Sequence, residues 1–339
     1  MVTIDDIAAE AGVSNTTVSN VIHGRTNRVS KKTIDSINKI IKERGYVPNM
    51  SARALASNSS KVVAIINNLD SDKSANFMED PFHNIFIGAV EKALRSQGYY
   101  LMLRTVGSSK KLLEFLRNWN MDGLFLTGVF EDDDIYAALS NLKVPVVLSD
   151  SYLSDYGQMV NVGLQDFEGA KLATEYLIKN GHRRIIFAGP QIRPSGVVQQ
   201  RLKGYRSALE AAGISFDEKL VFESEFLIER TLELGAEIAA RDDVTAVFAT
   251  ADILAAGIMS GIQQAGRKVP EDFSIVGFDD IDWCRMTMPT LTTVHQDAKQ
   301  KGEISAERMI TLLNGGEILE QNKILPVRLV ERESVRSIL

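Results

Sequence analysis

Cysteine is nearly absent: the 339 residues contain one, Cys284. A single thiol excludes an internal disulfide framework and fits a reducing cytoplasm. With no histidine motif around it, Cys284 reads as a small buried apolar residue. Long apolar runs are missing too. No stretch could span a bilayer, and no charged start leads into an apolar export segment, so a cytoplasmic protein with no membrane partner is expected. Histidine is scarce, with four residues (His23, His83, His182, His295), none at metal-ligand spacing. No HExxH, CxxC or Walker A pattern occurs, and no nucleophile–base pair is recognisable. The expectation is therefore no enzyme, no metal and no cofactor.

What is present suits two or three soluble domains with ordinary cores, at 45% hydrophobic residues. The net charge of −6 is unevenly spread. Residues 1–60 carry eight Lys/Arg against five Asp/Glu, leaving a head of +3 on a body of −9. A basic head on an acidic body points to a polyanionic partner at one end only.

Three short helices are legible in that head. Thr3 with Asp6 forms a capping-box start, and Ile4, Ile7, Ala8 and Ala11 share one face. Gly12-Val13-Ser14 makes a sharp turn in which Gly12 permits the bend, Val13 plugs the angle and Ser14 caps the next helix. That helix runs from about Asn15 to Ile22 with Val18, Val21 and Ile22 inward. A third opens at Ser30, with Ile34, Ile37, Ile40 and Ile41 as its stripe, and stops at Gly45 and Pro48. This is the helix-turn-helix pattern, whose second helix presents its N-terminal residues to base edges in the major groove. Asn15, Thr16 and Asn20 are the base-reading candidates. Thr3, Ser14, Thr17, Ser19, His23, Arg28 and Ser30 are candidates for the DNA backbone.

The stretches "VTIDDIAAEAGVSNTTVSNVIHG" and "VSKKTIDSINKIIKERGYVPNMSARALAS" resemble the head and hinge of bacterial LacI/GalR-type repressors almost position by position. One departure matters. Such heads usually carry Arg where this chain has Asn20, and Asn favours adenine where Arg favours guanine. The segment 49–60 is too short to hold a helix by itself in water. The resemblance implies paired hinges that fold in the minor groove and wedge Leu55 into a base step, with Arg53 on the backbone or groove.

From Lys61 the texture changes to short apolar runs alternating with amphipathic helices, the signature of parallel sheets covered by helices. The body is long for one core, so two subdomains are expected. The stretches "KNGHRRIIFAGP", "RLKGYRSALEAAGI", "TAVFATADILAAGIMSGIQQAGRKVPEDFSIVGFDD" and "PTLTTVHQD" resemble the same family. The fold class expected is an α/β body, periplasmic-binding-protein-like with two Rossmann-like lobes, behind an all-α helix-turn-helix head. The boundaries read as 1–48 for the head, 49–60 for the hinge, 61–162 plus 291–321 for one lobe and 163–290 plus 322–339 for the other.

The resemblance implies three crossovers between the lobes and a small effector, a sugar, in their cleft. Asp252, opening a helix after "AVFAT", is placed to accept hydrogen bonds from sugar hydroxyls, or simply to cap. Arg201 matches the family's effector-contacting arginine. Phe82 and Trp283 would stack on a sugar's apolar face or serve as core or dimer contacts. Asp279 is a further polar candidate. Two departures stand out: Leu164 and Gln165 fall where relatives have an acidic residue, Asp166 being shifted, and the run at 71–80 is longer than usual.

A transport receptor would have no use for the head, and a sugar-metabolising enzyme lacks its motifs. The reading is an effector-responsive repressor of carbohydrate-utilisation genes. It would act as a homodimer on a near-palindromic double-stranded DNA operator. The end of the chain, lacking an apolar heptad, predicts no coiled-coil tetramer.

Overall fold

The computed structural model of the chain describes residues 2–22, 24–46, 59–67, 78, 80–139 and 141–339, which form two compact units, Met1–Ser60 and Lys61–Leu339. His23, Arg53 and Leu55, with nearly all of the 49–60 hinge and the 71–80 run, lie outside the described residues. No described helix is long and apolar enough to cross a membrane.

The head holds α1 (Ile4–Ala11), α2 (Asn15–Ile22) and α3 (Lys31–Arg44). Each begins where a short hydroxyl side chain accepts an otherwise orphaned N–H: Thr3 from Asp6 at 3.3 Å, Ser14 from Thr17 at 3.2 Å and Ser30 from Thr33 at 3.2 Å. Asp6 returns the favour to the Thr3 N–H at 2.8 Å, completing the capping box. Gly12 adopts φ 65°, the left-handed conformation that ends α1 and turns the chain within two residues. The stripes then meet. Ile7, Ala8, Val18, Val21, Ile37 and Ile40 are buried together, with Val13 and Ile22 packed against them. Arg44 of α3 pairs with Glu10 of α1 at 2.7 Å on the exposed side.

From Lys61, the chain runs β1 (Val62–Asn67), α4 (Pro81–Ser96), β2 (Tyr100–Thr105), α5 (Ser109–Asn118), β3 (Gly123–Thr127), α6 (Asp134–Leu139), β4 (Val146–Ser149) and β5 (Val160–Leu164). Next come α7 (Asp166–Lys179), β6 (Ile185–Gly189), α8 (Val197–Ala211), β7 (Val221–Glu223), α9 (Ile228–Ala239), β8 (Ala246–Ala249), α10 (Asp252–Gln264), β9 (Ser274–Asp279) and β10 (Thr292–His295). The chain closes with α11 (Ala298–Leu313), β11 (Asn322–Leu325) and β12 (Arg328–Val330).

These strands build two six-stranded sheets, in the orders β11-β5-β4-β3-β1-β2 and β12-β10-β9-β8-β6-β7. Every pair is parallel except β10 with β12. Parallel strands buried on both faces need near-continuous apolar runs, and β3, β5, β6 and β8 are buried throughout.

The strand pairing corrects the lobe boundaries read from sequence. Residues 292–295, assigned to the first lobe, form β10 beside β9 in the second sheet. Residues 322–325, assigned to the second lobe, form β11 beside β5 in the first. Both are four-residue strands whose partners lie far away in sequence, so no local pattern reveals the sheet they join. The chain therefore passes between lobes three times: at Gln165, at Gln296–Asp297 and at Pro326–Val327. Pro326, lacking an N–H, ends the β11 ladder where the last passage begins.

Candidate functional site

In the head, Ser14, Asn15 and Thr16 are exposed at the start of α2, while Thr17, Ser19 and Asn20 are half-buried along it. The buried Val18 and Val21 hold this helix by its opposite face. The Asn15 amide donates to Asp5 of α1, which fixes its side chain across the turn. Ser14 and Thr17 hydroxyls lie 2.9 Å apart. Thr3, Ser14 and Ser30, read as backbone contacts, are helix caps; Arg28 is exposed in the turn between α2 and α3. Capped N-termini with short hydroxyls form a surface suited to phosphate oxygens.

In the body, the functional candidates gather where the carboxyl ends of the strands meet the crossovers, the usual ligand position on open α/β sheets. Arg201, on α8, is buried. Its Nε and Nη2 each reach Asp166 Oδ1 at 2.8 Å, its Nη1 donates to the Thr250 carbonyl, and its guanidinium lies 3.5 Å from the Phe278 ring centroid. The Tyr152 hydroxyl, with one proton to give, lies within reach of both Asp166 and the Leu164 carbonyl, the latter at 3.0 Å. Gly204 makes this possible. A Cβ there would stand 2.1 Å from the Phe167 carbonyl oxygen, so only glycine lets α8 sit against the first turn of α7 and bring Arg201 to Asp166. Burial lifts the Asp166 carboxyl above the usual range, opposed chiefly by Arg201.

On the first-lobe side, Lys301 of α11 is fully buried and pairs with Asp150, which follows β4 in a left-handed conformation at φ 54°. The Lys301 ammonium lies 5.3 Å from the ring centroid of Phe82, buried in the opening turn of α4. Asp80 caps that helix, accepting from Phe82 N–H at 3.0 Å and meeting His83 Nδ1 at 2.6 Å.

Asp279, at the carboxyl end of β9 with φ 125°, accepts from the amide of Gln296 at a crossover. Burial holds its carboxyl well above the ordinary value, reinforced by Asp252 and Asp80 and opposed by Arg201. A clasp joins the lobes nearby: Arg193, after β6, bonds Asp133 at 2.7 Å and Asp132 at 3.1 Å and lies 4.0 Å from the Phe130 ring centroid.

Two sequence candidates change character. Asp252 is buried, and its carboxylate is already taken by Thr293 Oγ1 at 2.5 Å, Ile281 N–H at 3.0 Å and Cys284 Sγ at 3.0 Å. It braces β10 and the turn after β9, a structural engagement in place of the sugar contact read for it from sequence. Cys284 is buried as expected, but as a donor to that brace. Trp283 is 45% exposed, and Met286 and Met288 just beyond it are 71% and 81% exposed, so it belongs to an apolar surface rather than to the Arg201–Asp279 group. Sequence reasoning missed Asp150, Tyr152, Gln296 and Lys301. Asp150 and Gln296 follow the strands "VVLS" and "TTVH" directly, and that position was the available signal.

A three-helix head with this turn, and a body of two mostly parallel sheets joined by three crossovers around a buried polar junction, define a helix-turn-helix transcription regulator with a ligand-binding-protein body. Residues 3–49 match the model for bacterial regulatory proteins of the lacI family, and residues 174–335 that for a periplasmic binding protein-like domain. The chain is similar to the HTH-type transcriptional regulator CelR of Thermobifida fusca, at 34% identity over 98% of both chains. It is also similar to the HTH-type transcriptional repressor PurR of Vibrio atlanticus, at 30% identity over 100% of both. Among solved structures, a transcriptional regulator CelR–cellobiose complex shares 31% identity over 98% of this chain and 100% of that one, with a TM-score of 0.73. The chain belongs to the LacI family of bacterial transcriptional regulators.

Proposed function

We propose that this protein is a repressor whose head reads a near-palindromic operator and whose body binds a sugar between its lobes, and that it has no enzymatic activity. The observation that carries the reading is the polar junction itself. Asp279, Arg201, Gln296, Asp150 and Lys301 come from both lobes and from a crossover to one place, so a molecule held there would touch both halves of the body. The cellobiose complex of a relative supports a saccharide as effector. Asn15, Thr16 and Asn20 read bases from α2, with Thr17, Ser19 and Arg28 on the backbone. His23, Arg53 and Leu55 join them on family resemblance, and the chain works in the cytoplasm.

A homodimer suits a two-fold operator. Exposed apolar side chains support one: Tyr100 and Leu103 of the edge strand β2, Ile85 of α4, and Trp283, Met286 and Met288. Effector binding changes the angle between lobes, and operator affinity changes with it by reciprocal linkage. The test is a fluorescence-anisotropy titration of operator DNA, selected from random sequence, at fixed salt with and without sugars. Effector-dependent affinity is expected. A sugar that binds the body and leaves operator affinity unchanged overturns the coupling, and failure to select any common DNA sequence overturns the regulator reading.

A further inference from the structure

We infer that Asp5 is a positioning residue for base reading: it ties back the amide nitrogen of Asn15, so that Asn15 meets the groove as a hydrogen-bond acceptor. Asn15 then reads an amino group instead of one particular base. The inference rests on the reading of α2 as the helix that contacts bases. Asp5 and Asn15 are both exposed, on either side of the turn at Gly12, and Asn15 Nδ2 donates to Asp5 Oδ1. A carboxylate accepts and cannot donate, so this contact settles which end of the amide faces α1. Oδ1 is left on the other edge, and among the described residues it has no hydrogen-bond partner.

Three other acids of the head are explained by the fold. Asp6 completes the capping box with Thr3, Glu10 pairs with Arg44 at 2.7 Å, and Glu43 pairs with Lys39 at 3.7 Å. Asp5 has no cation paired with it among the described residues. Its place in the first turn of α1 suits the helix dipole, a benefit that does not require reaching across to α2. The turn itself is already set by Gly12 and by the buried Ile7, Val18 and Val21. A carboxylate beside a DNA-reading helix opposes the phosphates and weakens binding to every sequence alike. Orienting Asn15 is a use for it that affinity does not supply.

A free asparagine reads adenine with both ends of its amide, the oxygen accepting from N6 and the nitrogen donating to N7. To do so, Asn15 would have to draw its nitrogen off a carboxylate, and charge-assisted hydrogen bonds are the stronger kind. With Oδ1 alone to offer, Asn15 accepts from adenine N6 or cytosine N4. Guanine and thymine show only acceptors in the major groove and give it nothing. The base pair facing Asn15 is therefore degenerate in one way: adenine or cytosine on the same strand, with the reversed pairs disfavoured. Asn20 has no such tether among the described residues and keeps both ends of its amide, so adenine alone is expected opposite it.

The experiment uses the full chain as the native protein, Asn15→Ala, Asp5→Ala and Asp5→Asn. Sites are selected from random DNA, and anisotropy at fixed salt with single base-pair variants of the selected operator measures each preference. The position that Asn15→Ala alters is the one that Asn15 faces. There the native protein is expected to bind adenine and cytosine within about twofold of each other, and at least about fivefold above guanine and thymine. In both Asp5 variants the released amide turns to adenine, at least about fivefold over cytosine. The preference opposite Asn20 stays, and every site binds more tightly. Native selection of adenine alone, or a pattern unchanged in both Asp5 variants, overturns the tether. A fall in preference at every position together overturns it as well, since a mere brace of the head would produce that. Failure of Asn15→Ala to alter any position overturns Asn15 as a base reader, the reading beneath the inference.

Discussion

Replacing Arg201 by Met isolates what the buried ion pair contributes. The substitution keeps length and apolar bulk against Phe278 but removes the charge and every donor. Asp166, itself fully buried, then retains only the Tyr152 hydroxyl. Breaking one side of a buried pair typically costs about 3–5 kcal/mol, because the remaining charge is stranded in a medium that solvates it poorly. At about 4 kcal/mol the folded-to-unfolded ratio falls roughly a thousandfold.

The companion variant Arg201→Met/Asp166→Leu removes both charges. Tyr152 still donates to Leu164 O at 3.0 Å, so no donor is orphaned, and the double variant should recover to within about 1 kcal/mol of the parent. Urea unfolding followed by tryptophan fluorescence serves as the assay. Trp119 follows α5 in the first lobe and Trp283 lies in the second, so Trp119→Phe confines the signal to the lobe that holds the pair. A midpoint for Arg201→Met within about 1 kcal/mol of the parent, or a double variant weaker than the single, would refute the argument.

Three further outcomes are expected. Asn20→Arg should move the preferred base opposite this residue from adenine to guanine in sites selected from random DNA; an invariant guanine with the native Asn20 removes the basis for that reading. Gly204→Ala forces a Cβ to 2.1 Å from the Phe167 carbonyl oxygen, so α8 must move. A loss of about 1–3 kcal/mol is expected, and an unchanged thermal midpoint counts against it. Asp279→Asn should alter pH dependence. The folded state holds the Asp279 proton more tightly than the unfolded chain, so its stabilising contribution is complete below about pH 4 and declines as pH rises through the folded value. The variant should therefore gain on the parent as pH rises above about 4, and an offset that stays constant with pH contradicts the shift.

The head was legible because everything that shapes it is local. Thr3 finds Asp6 and Ser14 finds Thr17 three residues on, and Ile7, Val18 and Ile37 declare their faces by spacing alone. The α/β alternation was equally plain. The junction was not. Asp166 and Arg201 are thirty-five residues apart, and their meeting depends on a missing Cβ at Gly204 that no spacing announces. Asp252 carried a family-like motif, yet its role is set by Thr293 and Cys284, brought to it by the second sheet. The four-residue strands β10 and β11 went to the wrong lobes because sheet membership is decided by distant partners.

The three crossovers bear on how the molecule is made. The first sheet needs β11 at residues 322–325, and the second needs β10 and β12, so neither lobe is a continuous stretch of chain. A growing polypeptide can complete the head early, but neither sheet has all its strands until residues 322–330 have left the ribosome. A message truncated between the head and residue 322 would release a finished head attached to two sheets that each lack a strand.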